Sequence, residues 1–180
     1  FEELELPLLE RVELFQRTVG DTSDIVEKEM YTFEDRDGST LALRPEGTAS
    51  LVRAYLAAGM ARSQPEGRFY YRGPMFRRER PQKGRFRQFS QIGAEMLGRS
   101  DPAADAEAVT LVADICEAVG LREYSVELNS LGDDACRPAY RKALAAWGEA
   151  RIDSLCEDCR SRLQRNPLRL LDCKVESCRE

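Results

Sequence analysis

The stretch Arg77-Arg-Glu-Arg-Pro-Gln-Lys-Gly-Arg-Phe-Arg-Gln-Phe-Ser-Gln-Ile-Gly-Ala-Glu95 changes character halfway along. Residues 78–87 are mostly charged and contain a proline and a glycine, the composition of a loop. From Gln88 to Leu97 the side chains alternate with a period of two, which predicts a strand. The residues just before, Arg68 to Phe76, are rich in aromatics and read as a second strand. Two strands around a charged loop make an antiparallel sheet the platform for the rest of the chain.

Alternation puts Phe89, Gln91, Gly93 and Glu95 on one face of the later strand and Ser90, Ile92, Ala94 and Met96 on the other. The second face is mostly apolar and is expected to meet the core. The first offers a ring to stack on, a glycine for close approach, and an amide and a carboxylate to bind donors. An ordinary solvent-facing strand would also carry such residues. The loop favours a ligand floor instead, because Arg77, Arg78, Arg80, Lys83, Arg85 and Arg87 surround a single Glu79. Guanidinium forks pair bidentately with phosphate oxygens and stay charged when desolvated, which suits a nucleoside triphosphate. No GxxxxGK[ST] or GxGxxG pattern occurs, so this is neither a Walker loop nor a Rossmann fingerprint.

The charge distribution agrees. The chain carries −5 overall, but residues 68–87 hold eight Lys or Arg and one Glu, a local +7, leaving −12 on the remainder. A local basic cluster in an acidic chain is what a polyphosphate or an RNA backbone needs.

Outward from the hairpin, Leu8, Leu9, Val12, Phe15 and Val19 recur at helical spacing, predicting a helix over residues 8–19 with Pro7 at its first turn. Met30-Tyr-Thr-Phe33 and Thr40-Leu-Ala-Leu43 flank the turn residues Asp35-Arg-Asp-Gly38 and read as a hairpin. An irregular turn, Arg44-Pro-Glu-Gly-Thr48, leads into helical spacing from Ala49 to Ala58. Asp101-Pro102 is an N-cap with proline at the first helical position, and that helix runs to Val119 before Gly120. Tyr124 to Leu128 reads as a strand, Asn129-Ser-Leu-Gly132 as a turn, and residues 134–165 as helices. The sum is an α+β fold, an antiparallel sheet flanked by helices.

At 42% hydrophobic and 33% charged, the chain has an ordinary globular composition. No apolar run approaches the ~18 residues of a membrane span. The acidic start, Phe-Glu-Glu-Leu-Glu, is unlike a secretory signal, so a cytoplasmic protein is expected, and the lack of an initiator Met suggests a start inside a longer chain. There is no His, which removes a Ser-His-Asp triad, a Cys-His dyad and any His-ligated metal. Five of six Cys follow residue 130. Cys156-x2-Cys159, thirteen residues, then Cys173-x4-Cys178 is close to zinc-ribbon spacing and suggests a structural Zn2+ site, although the last gap is longer than usual and free thiols remain the alternative.

Arg77-Arg-Glu79, a variable loop, and Arg85-Phe-Arg-Gln-Phe89 resemble motif 2 of the class II aminoacyl-tRNA synthetases. Gly73-Pro-Met-Phe-Arg77, Glu79-Arg-Pro-Gln-Lys-Gly-Arg85 and Leu43-Arg-Pro-Glu-Gly-Thr48 resemble the histidyl-tRNA synthetases in particular. So do Glu29-Met-Tyr-Thr-Phe33, Leu128-Asn-Ser-Leu-Gly132 and Asn166-Pro-Leu-Arg-Leu-Leu-Asp-Cys-Lys174. The resemblance implies a class II catalytic core over residues 1–133, with motifs 1 and 2, followed at 134–180 by the start of a mostly helical insertion.

It also implies roles. Arg77 would hold the α-phosphate of ATP, with Arg85 on the phosphates, Glu79 on the adenine side and Phe89 stacked on adenine. Glu46 and Thr48 would bind the α-amino group of L-histidine, and Gln91 and Glu95 would line its pocket. The implied cofactors are ATP and Mg2+, the partner is tRNA(His), and the motif 1 helix implies a homodimer. The family carries His where this chain has Ser90, a position that alternation directs away from the ligand face. The resemblance places further site arginines, motif 3 and the anticodon-binding domain beyond residue 180, so this stretch alone is expected to have little aminoacylation activity. Two alternatives are a catalytically inactive relative that regulates ATP phosphoribosyltransferase and another class II synthetase; Lys83-Gly-Arg85 and the Asn129–Gly132 turn argue against the latter.

Overall fold

The computed structural model describes residues 1–20, 23, 25–130 and 132–178, and the chain forms two compact units, Phe1–Glu123 and Tyr124–Glu180. Unit 1 opens with a two-residue strand, β1 (Glu2–Glu3). A second short strand, β2 (Leu9–Arg11), runs directly into helix α1 (Val12–Val19). A single π-type turn, Ile25–Glu29, precedes the hairpin of β3 (Tyr31–Glu34) and β4 (Thr40–Leu43). Gly38 closes that hairpin at φ +81°, a conformation that favours glycine. Helices α2 (Thr48–Ala57) and α3 (Met60–Ser63) follow. The long hairpin of β5 (Gly67–Phe76) and β6 (Gln88–Leu97) and helix α4 (Pro102–Ala118) complete the unit.

The strands make two sheets, ordered β1-β5-β6 and β2-β4-β3. Only β1 with β5 is parallel; the other pairs are antiparallel. This is the expected α+β architecture. Helix α4 begins as expected, with the Asp101 carboxylate accepting from the backbone N–H of Ala103 and Ala104 and Pro102 in the first turn.

Three expectations are corrected. The first helix starts at Val12, because Leu9, Glu10 and Arg11 pair with Leu43, Ala42 and Leu41, so Pro7 precedes a strand. Helical spacing of apolar residues does not exclude a short strand when a distant ladder partner exists. Residues 121–130, including the expected strand at Tyr124–Leu128, carry no regular secondary structure. Leu131 of the expected turn lies outside the described residues.

The third correction concerns β6. Ser90, Ile92 and Ala94, read as core-facing, are exposed, and Ile92 is 64% accessible. The core lies on the other face. Phe69, Tyr71 and Met75 of β5 are buried with Leu6, Leu51 and Tyr55, and Phe89 and Leu97 of β6 pack against them. Register explains this, since Tyr71 pairs with Gly93 and Met75 with Phe89. The core and the expected ligand floor therefore share one face of the sheet. The opposite face meets α4 across a cavity of about 310 Å3, lined by Tyr70, Ile92, Met96, Leu111 and Ile115 among others.

Arg44 joins the two sheets. Its N–H donates to Leu8 O (2.9 Å) and its carbonyl accepts from Phe76 N–H (3.0 Å). The side chain is buried, and its guanidinium donates to Leu6 O (2.7 Å), Pro7 O (3.3 Å) and Pro74 O (2.9 Å). Burial holds its pKa below the usual arginine value. Gly73 makes room for it: at φ +151°, a Cβ there would lie under 3.0 Å from the guanidinium.

Unit 2 contains helices α5 (Arg137–Glu149) and α6 (Glu157–Arg165) and two 3-10 turns, Pro167–Asp172 and Glu176–Cys178. Its buried cluster is small: Leu155, Leu163, Leu170, Cys159, Cys173 and Cys178. Gly148 lets α5 approach closely, for a Cβ there would meet Leu163 at 2.8 Å and Leu170 at 3.0 Å.

Candidate active site

The turn between β4 and α2 presents the first group of expected site residues. Gly47 sits at the N-cap of α2 and has no side chain to cap it. The Glu46 carboxylate does so instead, accepting from Thr48 N–H (2.6 Å) and Ala49 N–H (3.1 Å). A carboxylate at a helix N-terminus is favoured by the unpaired N–H groups there. Thr48 Oγ1 donates to Glu95 Oε1 on β6 at 2.6 Å, tying the turn to the sheet.

Between them stands Tyr71, which the sequence reading did not single out. Its ring is almost fully buried and wedged between two glycines. A Cβ on Gly47 or on Gly93 would fall under 3.0 Å from ring atoms. The Tyr71 hydroxyl accepts from Gln91 Nε2 at 3.4 Å. Burial raises the phenol above its ordinary value of 10; the hydrogen bond with Thr48 opposes this, and the Glu95 and Glu46 carboxylates add to it. Tyr71 thus stays neutral and protonated between two carboxylates. Gln91 Oε1 is buried with no hydrogen-bond donor among the described residues, an acceptor in need of one. The signal for Tyr71 lay in the hairpin register, which sets a large ring opposite Gly93.

The second group lies further along the same face of β6. Arg77 Nε donates to Pro45 O (2.9 Å), linking it to the first group. Its guanidinium lies over the Phe89 ring, 5.1 Å from the centroid, an attractive cation–π geometry. Glu79 sits between two arginines, 4.0 Å from Arg77 and 3.5 Å from Arg85. Arg77 N–H donates to Arg87 O (2.8 Å), extending the ladder past β5, and Arg78 N–H donates to Glu29 O (2.6 Å). Arg80 and Lys83 are exposed in the loop. All eight expected site residues are therefore gathered along one face: a cluster of carboxylates and an amide around Tyr71, and guanidinium groups beside an aromatic ring. Ser90 is exposed on the opposite face of the strand, as alternation required.

In unit 2 the four cysteines singled out by spacing also converge. The Sγ atoms of Cys156, Cys159, Cys173 and Cys178 all lie within 4.8 Å of one another.

Comparison with known proteins gives this geometry a context. The histidyl-tRNA synthetase family model matches residues 1–132. The histidine–tRNA ligase of Geobacter sulfurreducens is 53% identical over 180 residues, 100% of this chain and 44% of that protein. That of Aquifex aeolicus is 55% identical over 179 residues, 99% of this chain and 44% of that protein. The solved structure of apo histidyl-tRNA synthetase from S. aureus matches with a TM-score of 0.71 at 38% identity, covering 94% of this chain and 39% of that one. An ATP phosphoribosyltransferase regulatory subunit/histidyl-tRNA synthetase from Bacillus halodurans C shares the fold, with a TM-score of 0.61 at 22% identity over 99% of this chain and 52% of that one. The chain spans about 44% of the length of the curated relatives it matches. No helix among the described residues is long and apolar enough to cross a membrane. The family match runs unbroken through both residue groups, from Glu46 to Glu95, and the chain belongs to the histidyl-tRNA synthetase family.

Proposed function

We propose that this chain forms part of the catalytic core of a cytoplasmic histidine–tRNA ligase, with residues 1–133 as the core and 134–180 as the start of an insertion. The observation that carries the reading is the polar cluster around Tyr71, where the buried acceptor Gln91 Oε1 finds no donor among the described residues and lies on the strand face that carries Glu95, to which Thr48 is hydrogen-bonded. An amino acid's ammonium group and an imidazole N–H are donors of the required kind.

In this reading Glu46, Thr48 and Gln91 receive the ammonium, and Glu95 receives a ring N–H of histidine. Phe89 stacks on adenine, Glu79 binds on the adenine side, and Arg77 and Arg85 hold the phosphates. A histidine carboxylate oxygen attacks the α-phosphorus of ATP and pyrophosphate leaves. The 3′-terminal ribose hydroxyl of tRNA(His) then attacks the histidyl carbonyl, and AMP leaves. The residues supply positioning and stabilisation of phosphate charge rather than a nucleophile. Mg2+ enters with ATP as part of the substrate: Glu46, Glu79 and Glu95 already engage N–H, guanidinium and hydroxyl groups, and Mg2+ commonly relies on phosphate and water oxygens. A structural Zn2+ on the four cysteines has no part in this chemistry. The resemblance of the first helix and Pro7 to motif 1 is the ground for a homodimer, to be read by sedimentation.

The test is a chimera in which this chain replaces the matching segment of the Aquifex aeolicus ligase. Histidine-dependent ATP–pyrophosphate exchange is expected, and exchange driven by another amino acid, or none in a folded chimera, would refute the proposal. No observation favours the regulatory alternative: Glu46, Thr48, Arg77, Arg85, Gln91 and Glu95, the groups the ligase chemistry would use, are all present.

A further inference from the structure

We propose that Cys156, Cys159, Cys173 and Cys178 bind one structural Zn2+ and that this ion completes the core of unit 2. The ligands come from separate backbone segments. Cys156 and Cys159 lie at the start of α6, Cys173 follows the first 3-10 turn, and Cys178 ends the second. Cysteines that merely filled a core as small apolar groups would have no reason to aim four sulfurs at one point. Here every Sγ lies within 4.8 Å of the others, and Cys156 and Cys173 are 3.9 Å apart. A tetrahedral ion with Zn–S bonds of about 2.3 Å needs sulfurs about 3.8 Å apart. Closing the set around an ion therefore asks for shifts under about 1 Å from the present positions.

The surroundings suit thiolates. Cys156 N–H donates to Cys178 Sγ (3.1 Å) and Val175 N–H donates to Cys173 Sγ (3.4 Å). Backbone donors of this kind orient and stabilise metal-bound sulfur. Cys159, Cys173 and Cys178 are buried and Cys156 half-buried, so the site is closed, as in structural rather than catalytic zinc centres. All four ligands are sulfur and the chain has no His, which selects a soft tetrahedral ion over Mg2+ or Ca2+.

The ion also answers a question of stability. Three of the six residues in the buried cluster of unit 2 are cysteines, and the rest are Leu155, Leu163 and Leu170. Three leucines are a slender core for the segment Tyr124–Glu180, in the size range where metals or disulfides commonly supply the missing stabilisation. With ligands drawn from three segments, metal binding and folding become one event.

The experiment uses the full chain, purified under a non-chelating reductant with no chelator present. Elemental analysis is expected to find stoichiometric zinc, released to a colorimetric chelator when the thiols are blocked by a mercurial. Cys173→Ser should lose the metal, whereas Cys116→Ser and Cys136→Ser should keep it. Exchange of the wild-type metal for Co2+ should give the visible spectrum of a tetrahedral tetrathiolate, a readout that stands even if Cys173→Ser fails to fold. Removing the metal should open residues 150–178 to limited proteolysis and leave unit 1 resistant. Metal-free protein with no tetrahedral Co2+ spectrum, bound iron in place of zinc, or zinc retained by Cys173→Ser would overturn the site. Chelation that strips the ion without changing the proteolysis would overturn its role in the core.

Discussion

Replacing Gly93 with Ala tests whether the cluster around Tyr71 depends on the wedge of its ring between two glycines. The added methyl would lie under 3.0 Å from the Tyr71 ring and hydroxyl. The ring cannot retreat freely, because Gly47 meets it as closely from the turn and it is almost fully buried. Overpacking of this kind costs about 1–3 kcal/mol. Displacing the ring also weakens its hydrogen bond to Gln91, worth about 1 kcal/mol. The expected destabilisation is therefore about 2–4 kcal/mol, read as a lower urea midpoint at constant m. Tyr71→Leu removes the distal ring atoms and the hydroxyl that the methyl would strike. The double variant Tyr71→Leu/Gly93→Ala should thus be more stable than the sum of the two single changes predicts, by at least about 1 kcal/mol. A neutral Gly93→Ala, or strict additivity in the cycle, would show that the wedge does not constrain the site.

In the chimeric ligase, Arg77→Ala removes the guanidinium held by Pro45 O and the Phe89 ring, and histidine-dependent pyrophosphate exchange should fall about 100- to 1,000-fold while the fold survives by circular dichroism. Glu95→Gln keeps the shape but removes the charge that accepts from Thr48; histidine affinity should weaken by about tenfold with ATP affinity unchanged, measured by calorimetry. Asp101→Ala deletes the cap of α4 and its pairing with Arg99, and should lower stability by about 1 kcal/mol in thermal melts. Hydrogen bonds from Arg68 to Glu107 and from Arg99 to Asp101 lower both carboxylates' pKa values below 4.5 and 3.8. Their stabilisation is present above those unfolded-state values and is lost as pH falls through the lower folded ones; acid melts of Glu107→Gln should lose part of that dependence.

The β5–β6 hairpin was legible because ten-residue strands alternate long enough to reveal their period, and a charged loop separates them. The shared face of three candidate site residues was legible for a related reason: Phe89, Gln91 and Glu95 fall on one side of β6 by alternation alone. Which face meets the core was not legible. Alternation divides residues into two sets without orienting them, and the apolar look of Ile92 and Ala94 outweighed the partner strand. Phe69, Tyr71 and Met75 decide the matter, and they do so through register. The strand Leu9–Arg11 was hidden for another reason, since three residues show no period and their ladder partner is the far strand of a hairpin that follows a helix. The buried role of Arg44 was equally hidden, because a sequence does not show that three carbonyls from Leu6, Pro7 and Pro74 will meet around one guanidinium.

Arg44 bears on how the molecule opens as well as how it stands. Its amide and carbonyl belong to ladders in different sheets, and its side chain fastens both. Neither sheet can fray at that edge without stripping donors and acceptors from the other. The amide protons of Arg44 and Phe76 should therefore exchange with solvent only in the largest opening events of unit 1. Glu46 and Thr48, two and four positions further on, inherit that protection, so the cluster around Tyr71 is anchored at a point where local breathing is least permitted.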